Sequence, residues 1–361
     1  MTLASSVVND CLRVDDKDNV TIFLYPHNLV MAEDIAEACF KKGADVLLNL
    51  YTDRYMKAYH DLLSEDSLKT PSVFCKALTE NSTAEVFMAG VYDPAVLRTI
   101  DPAKSAAASE GEAKAHFPLS KEKKVRTISI GLSAVTKPRA KAYGFDYGKW
   151  GKMMQAATAV DYKKLAETGR ALMDSLIDAK SISVTGYGGT DISFDISGRR
   201  WRLSDGVVDD EDIRNDNLDD EIPAGSLSLA PVEDSAQGRV AFNTSTPAMG
   251  TNVSGVRWRF AKGRLTQFSG DKSVARVKRE WEKAAGDKDK LALFAIGFNP
   301  KAEVGYLVNP IANGAVSIGI GGNEFIGGKN KPGFFHMGTL TGATVKANGR
   351  IIVNKGKIVA R

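Results

Sequence analysis

Past Asp191 the chain holds a single histidine, His336, and no cysteine at all. That scarcity bounds the chemistry open to its C-terminal half. A catalytic zinc takes three protein ligands drawn from imidazole, thiolate and carboxylate, and leaves a position for water. A two-metal hydrolase adds bridging carboxylates that hold the ions roughly 3.5–4 Å apart. A non-haem iron oxygenase needs two histidines and a carboxylate on one face. Serine, leucine and glycine replace none of these. His27, His60 and His116 lie in the other half of the chain, in contexts that do not suggest ligation. A Ser–His–Asp triad of Ser317, His336 and Asp191 lacks the Gly-x-Ser-x-Gly elbow that exposes such a nucleophile. A nucleotide site is not expected either, because the first strand-like run leads into Pro26-His-Asn28 rather than a Gly-rich phosphate loop.

The elements that would position these residues fall into two styles. In the first half, strands alternate with helices. Val20–Tyr25 is a buried, β-rich run, Met31–Lys42 has helical spacing closed by Gly43, and Asp45–Leu50 is the next strand. A helix over Asp53–Leu63, strands over Ala84–Gly90 and Thr127–Leu132, and a helix over Val160–Ala179 continue the pattern. Lys104–Lys114, polar and Ala/Ser/Glu-rich, reads as a mobile loop or weak helix. Such alternation predicts an open, mostly parallel α/β sheet. From about Ser181 short strands and Gly, Asn and Asp turns take over. Asp191–Ile196, Gly255–Phe260 and Gly263–Thr266 read as strands, and Ala343–Val353 reads as a hairpin turning at Asn348-Gly349. One helix, about Lys272–Ala285, interrupts the series. The expected fold is an α/β domain over residues 1–180, followed by a β-rich α+β domain over residues 181–361.

Composition narrows the class further. At 361 residues the chain exceeds the size of a single growing core. Its net charge of +4 is small, and its densest basic stretch, Lys121–Arg126, is short and free of aromatics, which argues against nucleic acid. No run approaches the roughly 20 apolar residues of a membrane-spanning helix. The first ten residues show no secretory pattern, so Cys11, Cys39 and Cys75 are expected to be reduced thiols in a cytoplasmic protein.

Five segments carry a family resemblance, and they occur in family order. Gly188-Gly-Thr-Asp-Ile-Ser-Phe-Asp-Ile-Ser-Gly-Arg199 resembles the Gly-Thr-Asp-Leu strand of the aminopeptidase T family of thermophilic metallo-aminopeptidases. Ile222-Pro-Ala-Gly-Ser-Leu-Ser-Leu-Ala-Pro-Val-Glu233 is similar to that family's Leu-Pro-x-Gly-Glu-Val-x-x-Ala-Pro segment. Ala295–Pro300 is similar to Gly-Ile-Gly-x-Asn-Pro, Gly314–Gly321 to Gly-Thr-x-His-Ile-Ala-Leu-Gly, and His336-Met-Gly338 to His-x-Asp. The same fold family includes an iron-dependent dioxygenase of dihydroxypyridine.

Carried over position by position, the resemblance puts Ser226, Leu293, Ser317 and Gly338 where ligands are expected and leaves His336 alone in place. It implies a cleft that holds no metal or other cofactor, lined by Ser226, Glu233, Ser317, Asn323, Glu324 and His336. The reading favoured is binding of a peptide or small ligand without cleavage. The alternatives are a metal-independent enzyme using His336 with Ser226, Ser317 or Glu324, and a metalloenzyme with ligands relocated to Glu233, Asp234, Glu324 and His336. The resemblance also implies a homodimer. Asp191 and Arg199 are expected to be structural, pairing across the strand–turn element, and Trp201, Trp258 and Phe335 to be core.

Overall fold

The computed structural model describes residues 2–88, 90–248 and 251–359. The chain divides into two compact units, residues 1–162 with 206–223, and residues 163–205 with 224–361. The first boundary falls after residue 162 rather than 180. The second segment of the first unit arises because one strand, Asp219–Ile222, returns to it and pairs parallel with Arg126–Ile130.

The first unit is a five-stranded, all-parallel sheet. Its strands are β1 (Asn19–Leu24), β2 (Asp45–Leu50), β3 (Ala84–Phe87), β4 (Arg126–Ile130) and the returning strand, numbered β8 in chain order, in the order β2-β1-β3-β4-β8. Ala89, at the end of the strand expected over 84–90, lies outside the described residues. Helices α1 (Leu3–Ser6), α2 (Leu29–Phe40), α3 (Asp53–Leu62), α4 (Glu65–Lys69), α5 (Val73–Asn81), α6 (Pro102–Lys123), α7 (Lys137–Tyr143), α8 (Tyr147–Thr158) and α10 (Asp210–Arg214) complete the unit. One face of the sheet is apolar, with Val20, Ile22, Val86, Ile128 and Ile130 all buried. Successive strand residues point to opposite faces, so Thr21, Glu85, Thr127 and Asp219, in register across four strands, form a polar row on the other.

Lys104–Lys114, expected to be a loop or weak helix, lies inside α6. Local signals start that helix and tertiary contact fixes it. The Asp101 side chain accepts from Ala103 N, Pro102 takes the first position, and Lys124 closes the end in the left-handed region. At Gly111 a Cβ would come 2.1 Å from Leu68 O, so glycine is what lets α4 and α6 approach. The helix expected over 160–179 is the shorter α9 (Tyr162–Asp174).

The second unit is built on antiparallel sheets. An eight-stranded sheet runs β14 (Arg264–Ser269), β13 (Arg257–Ala261), β10 (Gln237–Ala241), β6 (Thr190–Asp195), β5 (Ser181–Gly186), β18 (Thr344–Ala347), β19 (Arg350–Asn354), β20 (Lys357–Ile358). A five-stranded sheet runs β17 (Phe335–Leu340), β16 (Val316–Gly321), β15 (Leu291–Gly297), β9 (Ser226–Leu229), β7 (Arg202–Ser204). A small pair, β11 (Thr246–Ala248) and β12 (Thr251–Val253), helix α11 (Val274–Lys283) and all of α9 but its first residue belong to the same unit. The hairpin between β18 and β19 turns where expected: Asn348 and Gly349 both have positive φ, 48° and 82°, as a type I′ turn requires. β15 is buried at every position, so it lies in the middle of the fold with apolar contact on both faces.

Candidate functional site

The segments singled out by resemblance converge on the five-stranded sheet, and its pleat decides which of them can meet. Ser317 sits opposite Thr339 on one side and Ala295 on the other. Ala295 sits opposite Ser228, and Gly297 opposite Ser226. Ser226, Ser228, Leu293, Ala295, Ser317 and Thr339 therefore share one face. His336 pairs with Ile320, and Gly338 with Ile318. Ile320 and Ser317 are an odd number of positions apart, so His336 and Gly338 point to the opposite face.

This corrects the expectation that His336 shares a pocket with Ser226 and Ser317. His336 is buried against aromatic side chains: its ring lies 6.0 Å from both Trp258 and Phe268 of the other sheet and 6.5 Å from Phe334, just before β17. Its Nε2 has no hydrogen-bond partner among the described residues. Burial lowers its pKa to about 4, so it is a neutral ring at physiological pH. The position expected for an aspartate, Gly338, has no room for a side chain, because a Cβ there would come 2.5 Å from the ring of buried Phe242. Gly338→Ala is accordingly expected to cost about 1–3 kcal/mol by overpacking, read as a lowered thermal midpoint.

On the opposite face the hydroxyls are largely internal. Ser317 is fully buried and its Oγ lies 2.8 Å from Thr339 Oγ1. Ser226 and Ser228 are half-buried, beside Arg202 and Ser204 of the edge strand β7. Leu293 is buried beside them.

Glu233 and Asn323, expected to line the pocket, belong instead to a buried polar clamp. Glu233 pairs with Arg199 and accepts from Lys329 N at 2.7 Å. Asn323 Nδ2 reaches Glu233 Oε1 at 3.4 Å and Ala292 O at 3.2 Å, while Asn323 Oδ1 accepts from Asn330 N. Asn330 Nδ2 then donates to Leu291 O and Gly321 O. Burial pushes the Glu233 carboxyl upward, but the hydrogen bond from Lys329 N and the charge of Arg199 outweigh it and hold the pKa below its usual value. The clamp pins the 323–330 loop onto β15 and β16, so Arg199 is structural, but its partner is Glu233 rather than Asp191. Asp234 and Glu324 are exposed. So is Phe335, expected to be core, at 42%. Asn330 was not singled out from sequence, since nothing local distinguishes it from any loop asparagine.

The histidines of the first unit are engaged there. His27 Nε2 meets Ser133 O at 3.2 Å, and His60 Nδ1 meets Met56 O at 2.8 Å. His116 Nδ1 lies 3.1 Å from Thr79 Oγ1. Among the described residues no group of three or more His, Cys, Asp or Glu side chains is placed to hold a metal ion.

The family model described as thermophilic metalloprotease (M29) matches residues 1–288. The chain belongs to the M29 family. No curated protein sequence matches it. Among solved structures it is similar to wild-type AmpT from Thermus thermophilus, at 14% identity and a TM-score of 0.74, over 99% of this chain and 98% of that one. It is also similar to 2,5-dihydroxypyridine dioxygenase from Pseudomonas putida KT2440, at 14% identity and a TM-score of 0.65, over 99% and 96%. The M29 fold, a parallel α/β sheet followed by antiparallel β-rich sheets, is thus the fold of this chain. The M29 match ends before β15, β16 and β17, the strands that carry Leu293, Ser317, His336 and Gly338. Among the described residues no helix is long and apolar enough to cross a membrane.

Proposed function

We propose that this chain is a non-catalytic M29 protein that binds a peptide or small ligand on the M29 scaffold without cleaving it. The observation that carries the reading is the split of the ligand positions across the five-stranded sheet. Ser226, Leu293 and Ser317 share one face and offer no anionic or imidazole donor, while the one imidazole is on the other. A divalent ion needs several such donors converging on one point. The residues present do not fit the zinc or iron centre that the resemblance implies.

What remains on that face suits binding. Ser226 and Ser228 supply hydroxyls that donate or accept, and β7 is a sheet edge of the kind along which an extended peptide adds a strand. The reading that His336 works as an acid–base group is disfavoured, because its ring is enclosed by aromatics and turned from every serine of the site.

The test is elemental analysis of the purified protein together with hydrolysis of amino-acid amides in the presence of added cobalt or zinc. The expected result is no stoichiometric metal and no amine released. Calorimetry against defined peptide mixtures should then show heat of binding, with the peptides recovered intact by mass spectrometry. Stoichiometric zinc, iron or manganese, or shortened peptides, would return the chain to the working metalloenzymes.

A further inference from the structure

The parallel sheet of the first unit has one place where its connections part. β1 lies between β2 and β3. The chain leaves β1 toward β2, whereas it leaves β3 toward β4, on the other side. In open α/β sheets ligands bind at such a switch point, in the crevice outside the carboxyl ends of the strands.

Segments from four strand ends meet there, and side chains tie them together. Asp53, after β2, accepts from Tyr92 N at 2.8 Å and from Asp93 N at 3.0 Å, both after β3. Thr136, after β4, donates to Tyr92 O at 2.8 Å, and Arg139 Nη2 donates to Val91 O at 2.9 Å. His27, after β1, reaches Ser133 O through Nε2 at 3.2 Å. The rings of Tyr25, His27 and Tyr92 follow one another across these segments, with centroids 6.1 and 5.4 Å apart.

Two polar atoms of this crevice are left over. Arg139 Nε is buried with no hydrogen-bond partner among the described residues. Burial pulls the Arg139 pKa down, and Asp53, whose carboxylate is committed to the backbone of Tyr92 and Asp93, offsets this only in part. His27 Nδ1 is likewise buried and unpartnered among the described residues. A carbonyl oxygen only accepts, so the Nε2 that faces Ser133 O carries the proton. The contact of Asn28 Nδ2 with the same nitrogen, at 3.3 Å, is the weaker competitor. Burial lowers the His27 pKa and keeps the ring neutral, which leaves Nδ1 as an acceptor. A buried donor and a buried acceptor each cost stability until something fills them.

We propose that this crevice binds a small monocarboxylate carrying a neighbouring hydroxyl or amino group. The carboxylate accepts from Arg139 Nε, and the hydroxyl or amino group donates to His27 Nδ1. A phosphate suits the crevice less well. The guanidinium has Asp53 beside it, and the segment after β1, Tyr25-Pro-His-Asn28, has no glycine to bring backbone N–H groups onto a phosphate. Both atoms are closed to solvent as the segments lie, so binding turns aside the Tyr92 ring, which is 44% exposed. Side-chain rotamer changes of this kind are common on binding. The neighbouring rings favour a flat, apolar substituent on the ligand. The site belongs wholly to the first unit and is independent of peptide binding in the second.

Calorimetry on the full chain tests this with four probes. Mandelate and free phenylalanine carry both the carboxylate and a donor, phenylacetate lacks the donor, and mandelamide lacks the charge. Mandelate or phenylalanine is expected to bind at roughly 0.1–1 mM, as ligands of this size do. Mandelamide should bind at least about tenfold more weakly than mandelate, and phenylacetate at least about threefold. Arg139→Gln should lose mandelate at least about tenfold, and His27→Phe should bind mandelate and phenylacetate alike, both with unchanged far-ultraviolet circular dichroism. Absence of saturable binding of both mandelate and phenylalanine to wild type overturns the proposal. So does equal affinity for mandelate and mandelamide, or mandelate binding that persists in folded Arg139→Gln. Should Arg139→Gln fail to fold, a preference for mandelate over phenylacetate that survives in His27→Phe overturns it instead.

Discussion

Glu85→Gln is expected to stabilise the first unit by on the order of 3 kcal/mol at pH 8 and to change little below pH 4.5. Glu85 is fully buried on β3, neither carboxyl oxygen has a well-aligned hydrogen bond among the described residues, and the nearby Thr79 hydroxyl offsets only part of the cost of burial. Burial raises its pKa from 4.5 to about 7. The nearest cationic candidate, His116 Nε2, is 3.7 Å away, too far for a hydrogen bond, and burial lowers the pKa of that imidazole. Between pH 4.5 and 7 the folded state therefore holds a proton that the unfolded state has released. Stability falls as pH rises through this window, by about 1.4 kcal/mol for each pH unit crossed. Glutamine carries no charge at any pH and removes that loss. Hydrogen exchange of the β3 and β4 amides as a function of pH reads the effect locally, without assuming that two units unfold together. Equal protection in wild type and variant at pH 8 would show that Glu85 finds a charge partner when ionised.

The second large effect has the opposite sign. His336 has its pKa lowered from 6.5 to about 4 by burial alone. Below pH 6.5 the unfolded chain takes up a proton that the folded chain refuses, so stability falls as pH drops from 6.5 toward 4. Replacing the ring with an apolar side chain of similar size removes the dependence. His336→Leu is expected to retain on the order of 3 kcal/mol more stability than wild type at pH 4, and to bind peptide at pH 7 as wild type does. Hydrogen exchange of β16 and β17 amides at pH 4 and 7 measures the first, and calorimetry the second. Loss of binding in a folded His336→Leu protein would place the imidazole in the site after all.

These two groups show how burial shapes this protein's chemistry. Each is a residue type associated with catalysis, each has a displaced pKa, and each sits where no substrate could reach it. Displaced pKa values cluster at functional sites, but desolvation in a core produces them equally well. Accessibility and convergence of donors separate the two cases, and the second unit lacks both around His336.

Much of the architecture was legible in the sequence because periodicity is local. The strands at Asn19–Leu24 and Asp45–Leu50, the change to antiparallel sheets past Ser181, and the hairpin at Asn348-Gly349 each follow from which residues repeat and which tolerate positive φ. The donor count past Asp191 was equally plain, since it needs only reading. Three matters belonged to tertiary structure. The return of β8 to the first sheet depends on a strand pairing between residues about 90 positions apart. The helix α6 is pinned by the approach of Leu68 to Gly111. The direction of His336 depends on its register against β16, where a shift of one residue exchanges core for open face. A motif fixes which residue types occur at which spacing, but the side of a sheet they occupy is set by the neighbouring strand and by what packs upon it.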